Sequence, residues 1–189
     1  METLCPDLTR IVTRQMMARR MSVKEGVRRL VESVPSARYD EIVAYSRTLA
    51  IRPGLLELLD FLDARGARFV LVSGGLKIMV TTVLGPLVNR FAGLFALDLD
   101  TRGKNLKIQT LMEGETELLA KRRVMERFAY EQSVAIGDGY TDREMALFAD
   151  VAFARDGLAR FLEKMGRSYI PWEDFHTVTS HLERLWEKE

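Results

Sequence analysis

The sequence predicts an α/β fold: a mostly parallel sheet sandwiched by helices, with a small all-helical segment in front of it. Three observations carry that prediction. Residues 1 to about 50 read as helices only. After Ile51-Arg52-Pro53-Gly54 the rhythm changes to alternating strands and helices, which implies parallel pairing through helical crossovers. Third, Ser133 to Asp142 reads as a buried strand, a sharp turn at Gly137 and Gly139, and a helix opening at Thr141.

In the helical segment Asp7 is a candidate cap for a helix running to about Arg20. Ser22 and Glu25 form the capping box of a second helix that carries Val23, Val27 and Leu30 inward, and Pro35-Ser36 breaks it. A third helix should turn Ile42 and Tyr45 inward. Past the boundary, an amphipathic helix from Leu55 to Ala64 stops at Gly66, and the strand Arg68 to Val72 closes at Ser73-Gly74-Gly75. A helix over Leu76 to Leu84 precedes two strands, Phe91 to Leu99 and Leu106 to Thr110, joined as a hairpin at Thr101 to Lys104. Helix is expected from Glu115 to Phe128 and after the Asp138 turn to Ala149. Then follow the strand Val151 to Ala154, a helix from Gly157 to Met165 and a last strand at Ser168 to Ile170. The terminal helix carries Phe175, Val178, Leu182 and Leu185 at helical spacing.

Composition excludes several classes of function. The 28 basic side chains against 27 acidic ones leave no global field for nucleic acid or an anionic membrane. The basic lean of the first fifty residues is scattered along helical faces. No apolar run approaches the ~18 residues of a membrane span. Met1 to Pro6 lacks the plan of a signal peptide, and the single Cys5 has no internal disulfide partner, so a reducing, cytoplasmic setting is expected.

Chemistry is concentrated at strand ends. Asp138 and Asp142 fall where the Ser133 strand ends, the place where open α/β sheets bind ligands, and two carboxylates there suit a hard cation such as Mg2+. They equally suit a turn residue and a helix-start charge. Ser73 with Gly74 and Gly75 before a helix is a natural phosphate cradle, although any strand-to-helix turn favours such residues. Lys121 lies in line with Leu118, Met125 and Phe128. It is either a cation directed toward Asp138 and a phosphate or a lysine snorkelling from an apolar stripe. His176 and His181, five apart on a helix, do not share a face for a metal.

In that order, Ser73-Gly74, Lys121 and Gly137-Asp138-Gly139-x-x-Asp142 resemble motifs two, three and four of the haloacid-dehalogenase (HAD) superfamily of phosphotransferases. Within it the chain resembles the phosphoserine-phosphatase type with a small helical cap, most of all the methionine-salvage phosphatases that act on a hydroxy-keto-methylthiopentenyl phosphate. Supporting text is Ser22 to Val27, Glu113-Gly114, Phe153 to Asp156 and Tyr169 to Phe175, so the resemblance covers nearly the whole chain. It implies a HAD-like Rossmannoid core over 51–189 and a cap over 1–50. It further implies that Ser73 and the Gly74 amide hold the phosphate of a small metabolite and Lys121 neutralises it. Asp138 would bind Mg2+, and Asp142 would bind it through water or orient Lys121.

The family's first motif, Asp-x-Asp-x-Thr, precedes the cap and supplies the nucleophile and the general acid and base. It is not among these 189 residues. Asp98-Leu99-Asp100-Thr101 has its threonine one place early and reads as a solvated strand end, the alternative being a circularly permuted active site. The chain alone is therefore expected to be inactive and to bind Mg2+ weakly, with Met1 an internal methionine of a longer phosphatase. The alternative is a pseudoenzyme that serves as a phosphate-ligand-binding or regulatory module. The first motif's strand lies mid-sheet in the family, between the strands ending at Ser73 and Asp138, so an unfilled place there would favour self-association.

Overall fold

A computed structural model describes residues 5–187; the expectation for the start of the chain at Met1 to Leu4 lies outside them. In chain order the helices and strands are α1 (Pro6–Met17), α2 (Val23–Glu32), α3 (Tyr39–Ser46), α4 (Leu55–Asp63), β1 (Val70–Leu76), α5 (Lys77–Leu84), β2 (Gly93–Asp100) and β3 (Lys107–Gln109). These are followed by α6 (Lys121–Met125), β4 (Val134–Gly137), α7 (Arg143–Phe148), β5 (Val151–Ala154), α8 (Asp156–Lys164), β6 (Ile170–Pro171) and α9 (Phe175–Trp186). Short 3-10 turns cover Ser36–Arg38, Gly85–Arg90 and Tyr140–Asp142. The strands form two three-stranded sheets, in the orders β1-β2-β3 and β4-β5-β6. Among the described residues no helix is long and apolar enough to cross a membrane.

The chain divides into two compact units, and neither is continuous in sequence. The first holds the stretch ending at Leu49 with Val72–Gly85 and Phe95–Ala120, and the second holds Ala50–Leu71, Pro86–Leu94 and the stretch from Lys121 onward. The opening stretch of the first unit ends at Leu49, and that helical stretch shares its unit with later parts of the chain.

In the first unit, α1 begins at Pro6 with Cys5 in the capping position. Proline at the first helical position leaves Asp7 inside the turn, where it pairs with Arg10 rather than capping. The helix stops at Met17, short of Arg20, because Arg19 takes a left-handed conformation. The capping box of α2 forms as read: the Glu25 amide donates to Ser22 Oγ at 3.1 Å and the Ser22 amide to Glu25 Oε2 at 2.9 Å. A Cβ on Gly26 would stand 2.2 Å from Met16 Sδ, so this glycine sets the approach of α1 and α2. Ile42 is buried as expected, but Tyr45 points out and Ser46 takes the inner place, its hydroxyl donating to the Ile42 carbonyl. β1 runs on through Ser73, Gly74 and Gly75 instead of closing there, and α5 starts one residue later than expected. The hairpin of β2 and β3 is antiparallel, with Leu99 opposite Ile108.

The second unit is where period-two alternation builds a sandwich. β4, β5 and β6 are parallel, with Ile136 beside Phe153 and Phe153 beside Ile170. Val134, Ile136, Phe153 and Ile170 join a core with Leu58 and Phe61 of α4, Trp172, and Val178 and Leu182 of α9. The residues between them face the other way: Ala135 packs with Met145 and Ala149, and Ala152 and Ala154 with Ala146, Leu158 and Leu162. Alanine on one face and large residues on the other therefore set which helices each face receives. On α9, Leu185 remains partly exposed, and Trp186 stacks on Phe61 at 5.5 Å.

The linker into this unit is fixed at its second end. The Phe175 amide donates to the Pro53 carbonyl at 2.9 Å. Gly54 adopts φ +83°, and a Cβ there would lie 2.4 Å from the His176 nitrogen, so both conformation and space demand glycine.

The largest departure from expectation precedes Lys121. Glu115 to Ala120 is not helical, and α6 spans only Lys121–Met125. The Gly114 amide donates to the Glu117 carbonyl and the Ala120 amide to the Met112 carbonyl, which folds the segment on itself and buries Leu118, Leu119 and Ala120. Lys24 and Arg28 of α2 both reach Glu113 at 2.9 Å. The Lys24 ammonium and the Arg28 guanidinium hold the Glu113 carboxyl below the usual range against a smaller opposing effect of burial.

Candidate active site at the end of strand β4

β4 ends at Gly137, and the chain turns through Asp138 and Gly139 into the 3-10 turn that leads to α7. The turn folds around the side chain of Asp142. Its Oδ2 accepts the amides of Asp138 at 2.9 Å and Gly139 at 2.8 Å, and its Oδ1 pairs with Lys121 Nζ. Gly137 makes room for it: a Cβ at that position would sit 2.7 Å from Asp142 Cβ. Lys121 is 7% exposed and Asp142 5%, so the ammonium does not snorkel to water but is neutralised inside the fold. The cation read from sequence as facing Asp138 is thus directed at Asp142.

Asp138 itself is exposed, and its backbone is held from both sides. The Leu158 amide donates to its carbonyl at 3.0 Å. The preceding carbonyl, of Gly137, accepts both the Arg155 amide at 3.3 Å and the indole nitrogen of Trp172 at 3.1 Å. Sequence reasoning included Trp172 only as part of a resembling stretch. Its burial and its hydrogen bond to the turn emerge only in the structure. Ser133 and Asp150 were likewise missed: the Ser133 amide and hydroxyl both donate to Asp150 Oδ2 at 2.7 Å, tying the starts of β4 and β5 together.

Asp138 and Asp142 differ as donors to a cation. Asp138 offers an exposed carboxylate at the carboxyl end of a parallel strand, the oxygen chemistry Mg2+ prefers. Both Asp142 oxygens already have protein partners. Among the described residues no group of three or more His, Cys, Asp or Glu gathers around a common point. Of the two carboxylates, Asp138 is the one that could meet a cation directly.

The other residues singled out lie in the first unit or serve structural ends. Ser73 Oγ accepts the Gly75 amide at 3.1 Å, and Gly74 and Gly75 are exposed on β1. Asp98 is exposed and pairs with Lys77 at 3.3 Å. Asp100 is held far below the usual carboxyl range by the Arg102 guanidinium and amide, a local hairpin contact. His181 Nδ1 lies 2.9 Å from the Thr177 carbonyl, and its ring meets Phe153 edge-on at 6.1 Å.

Comparison with known proteins gives a consistent picture. The sequence profile of the haloacid dehalogenase-like hydrolases matches residues 3–147. A Microcystis aeruginosa protein named 2-hydroxy-3-keto-5-methylthiopentenyl-1-phosphate phosphatase is 39% identical over 184 residues, covering 96% of this chain and 88% of that protein. A Bacillus cereus protein of the same name is 27% identical over 195 residues, covering 99% and 89%. Among solved structures, a probable phosphoserine phosphatase from Vibrio cholerae superposes with a TM-score of 0.73 at 19% identity, over 97% of this chain and 58% of that one. A HAD family hydrolase of Salmonella enterica gives 0.67 at 20% identity, over 92% and 63%. The chain thus spans less than two thirds of those two crystallised chains, and at such identity they speak to the fold alone.

Proposed function

We infer that this chain, which belongs to the haloacid dehalogenase-like hydrolase family, works as the cap and the greater part of the core of a phosphomonoester hydrolase for a small phosphorylated metabolite. The substrate we assign is a hydroxy-keto-methylthiopentenyl phosphate, because relatives that align over nearly the whole chain carry that name. The observation that carries the reading is the buried Lys121–Asp142 pair folded into the Asp138-Gly139 turn.

A lysine buried with one carboxylate is a charge held at a fixed point with little reorganisation left to perform, which is how enzymes stabilise negative charge as it develops on a phosphoryl group. In this reading Lys121 neutralises the phosphate, Asp142 orients Lys121 and closes the turn, and Asp138 holds Mg2+. The metal, when bound, supplies Lewis-acid polarisation of the phosphoryl oxygens. The Ser73 hydroxyl and Gly74 amide bind the phosphate as neutral donors. The resemblance assigns the attacking aspartate to none of the 189 residues. Loss of a nucleophile from such a mechanism costs on the order of a millionfold in turnover.

The test compares phosphate release by the 189-residue chain with release by a version extended upstream in frame, each with Mg2+ and the methylthiopentenyl ester or a generic phosphomonoester. Activity is expected in the extended form alone. Activity in neither form would favour a phosphate-ligand-binding module without turnover. Activity in the short form that disappears on Asp98→Asn would overturn the assignment of the nucleophile.

A further inference from the structure

Two positive charges converge on one main-chain oxygen in the unit that contains Asp138. Arg52 Nη1 and Arg155 Nη1 donate to the Glu173 carbonyl at 2.8 and 3.0 Å. Their guanidinium carbons lie 5.3 and 5.7 Å from the centroid of the Trp172 ring. Because both donors touch the same oxygen, they can be no further apart than the sum of the two hydrogen bonds. A carbonyl dipole is a weak counter-ion for two full charges at that spacing. Asp156 pairs with Arg155 Nε at 2.8 Å but is itself largely exposed, and among the described residues no carboxylate pairs with Arg52. Among the described residues the two guanidiniums are thus met directly by one paired carboxylate, Asp156, with Glu173 and Asp174 adjoining along the chain.

The position of this cluster matters as well. Arg155 directly follows β5, whose last residue Ala154 pairs with Gly137, so its backbone stands at the same carboxyl end of the parallel strands as Asp138. The Trp172 indole that both guanidiniums approach is fixed by its hydrogen bond to the Gly137 carbonyl. Stacking on an aromatic face leaves the edge of a guanidinium, where its donors lie, available to a planar or tetrahedral oxyanion.

We propose that Arg52 and Arg155, stacked on Trp172, form a subsite for an oxyanion, a carboxylate or phosphate group of a small ligand. It uses residues other than those assigned to the phosphate, and it does not depend on the phosphatase reading.

Titration of the 189-residue chain with inorganic phosphate, and separately with malonate, followed by 1H–15N NMR, tests it. The Trp172 indole and the Nε–H signals of Arg52 and Arg155 are expected to shift saturably. The Trp186 indole, bonded to Gln132, serves as the unmoved control. A response to malonate alone assigns a carboxylate, and a response to phosphate alone assigns a phosphate group. Arg52→Gln and Arg155→Gln should each weaken binding at least about tenfold, while Arg102→Gln, a charge removed from the β2–β3 hairpin, leaves it unchanged. Lysine at either position, which keeps charge and folding but loses the fork and the stacking, should bind with intermediate strength. The proposal is overturned if the three signals stay still into tens of millimolar anion, if the shifts survive in the double glutamine variant, or if Arg102→Gln abolishes them.

Discussion

Replacing Lys121 by Met keeps the length and apolar stem of the side chain but leaves the Asp142 carboxylate, 5% exposed, without its cation. Breaking a buried pair from one side destabilises by about 3–5 kcal/mol, because a charge is left in a poor solvent. Asp142 retains two amide donors, so Lys121→Met should fall near the lower end of that range. Asp142→Asn leaves the opposite problem: an ammonium 7% exposed whose ion-pair partner among the described residues was Asp142, together with loss of the charge on both amide bonds. That variant should lose about 4–5 kcal/mol. The double variant removes both charges and should lie within about 1 kcal/mol of Asp142→Asn, giving a coupling of roughly 2–3 kcal/mol in a double-mutant cycle. Urea unfolding followed by circular dichroism measures all four proteins, with midpoints compared at equal slope. Two single losses each under about 1 kcal/mol that simply add would describe a solvated surface pair. The buried electrostatic core of the site would then be refuted.

Three further outcomes follow from contacts already described. Gly137→Ala should destabilise by about 1–3 kcal/mol, since the new methyl overlaps Asp142; amide hydrogen exchange at Asp138 and Gly139 should rise in step, and protection equal to that of the parent chain would contradict the geometry. Gly54→Ala should lose at least ~1–2 kcal/mol from the left-handed conformation alone, read as a lower urea midpoint. Ser133 holds the Asp150 carboxyl below its usual value through its hydroxyl first and its amide second. The folded value is below the unfolded one of about 3.9, so this contribution is complete above about pH 4 and fades as pH falls through the folded value. The gap in melting temperature between the parent chain and Ser133→Ala should therefore narrow between pH 5 and pH 2.

Local signals in the sequence located most elements, because their causes are local. Ser22 and Glu25 are three residues apart, and the capping box needs nothing else. The β-branched Val134 and Ile136 mark β4. The segment before Lys121 failed for the opposite reason. Leu118, Leu119 and Ala120 favour a helix by composition, but the segment is closed by its own Met112 and Gly114 contacts, and Glu113 is tied to α2, some 85 residues away. Tyr45 and Ser46 exchanged places because helical spacing names a stripe and not its edge. Of the site, the residue types at 121, 138 and 142 were legible, whereas Asp142 as the partner of Lys121 came only as one of two roles the resemblance implied. That partner depends on the turn at Asp138 and Gly139, whose amides draw Asp142 inward.

The packing of α4 against α9 places one of the earliest segments of the second unit against its last helix. During synthesis, at about 5–20 residues per second, Leu58 and Phe61 leave the ribosome with no Val178 or Leu182 to cover them until the last turns have been made. A nascent chain stalled before Phe175 also lacks the amide that secures Pro53. Completion of this unit is consequently governed by long-range closure.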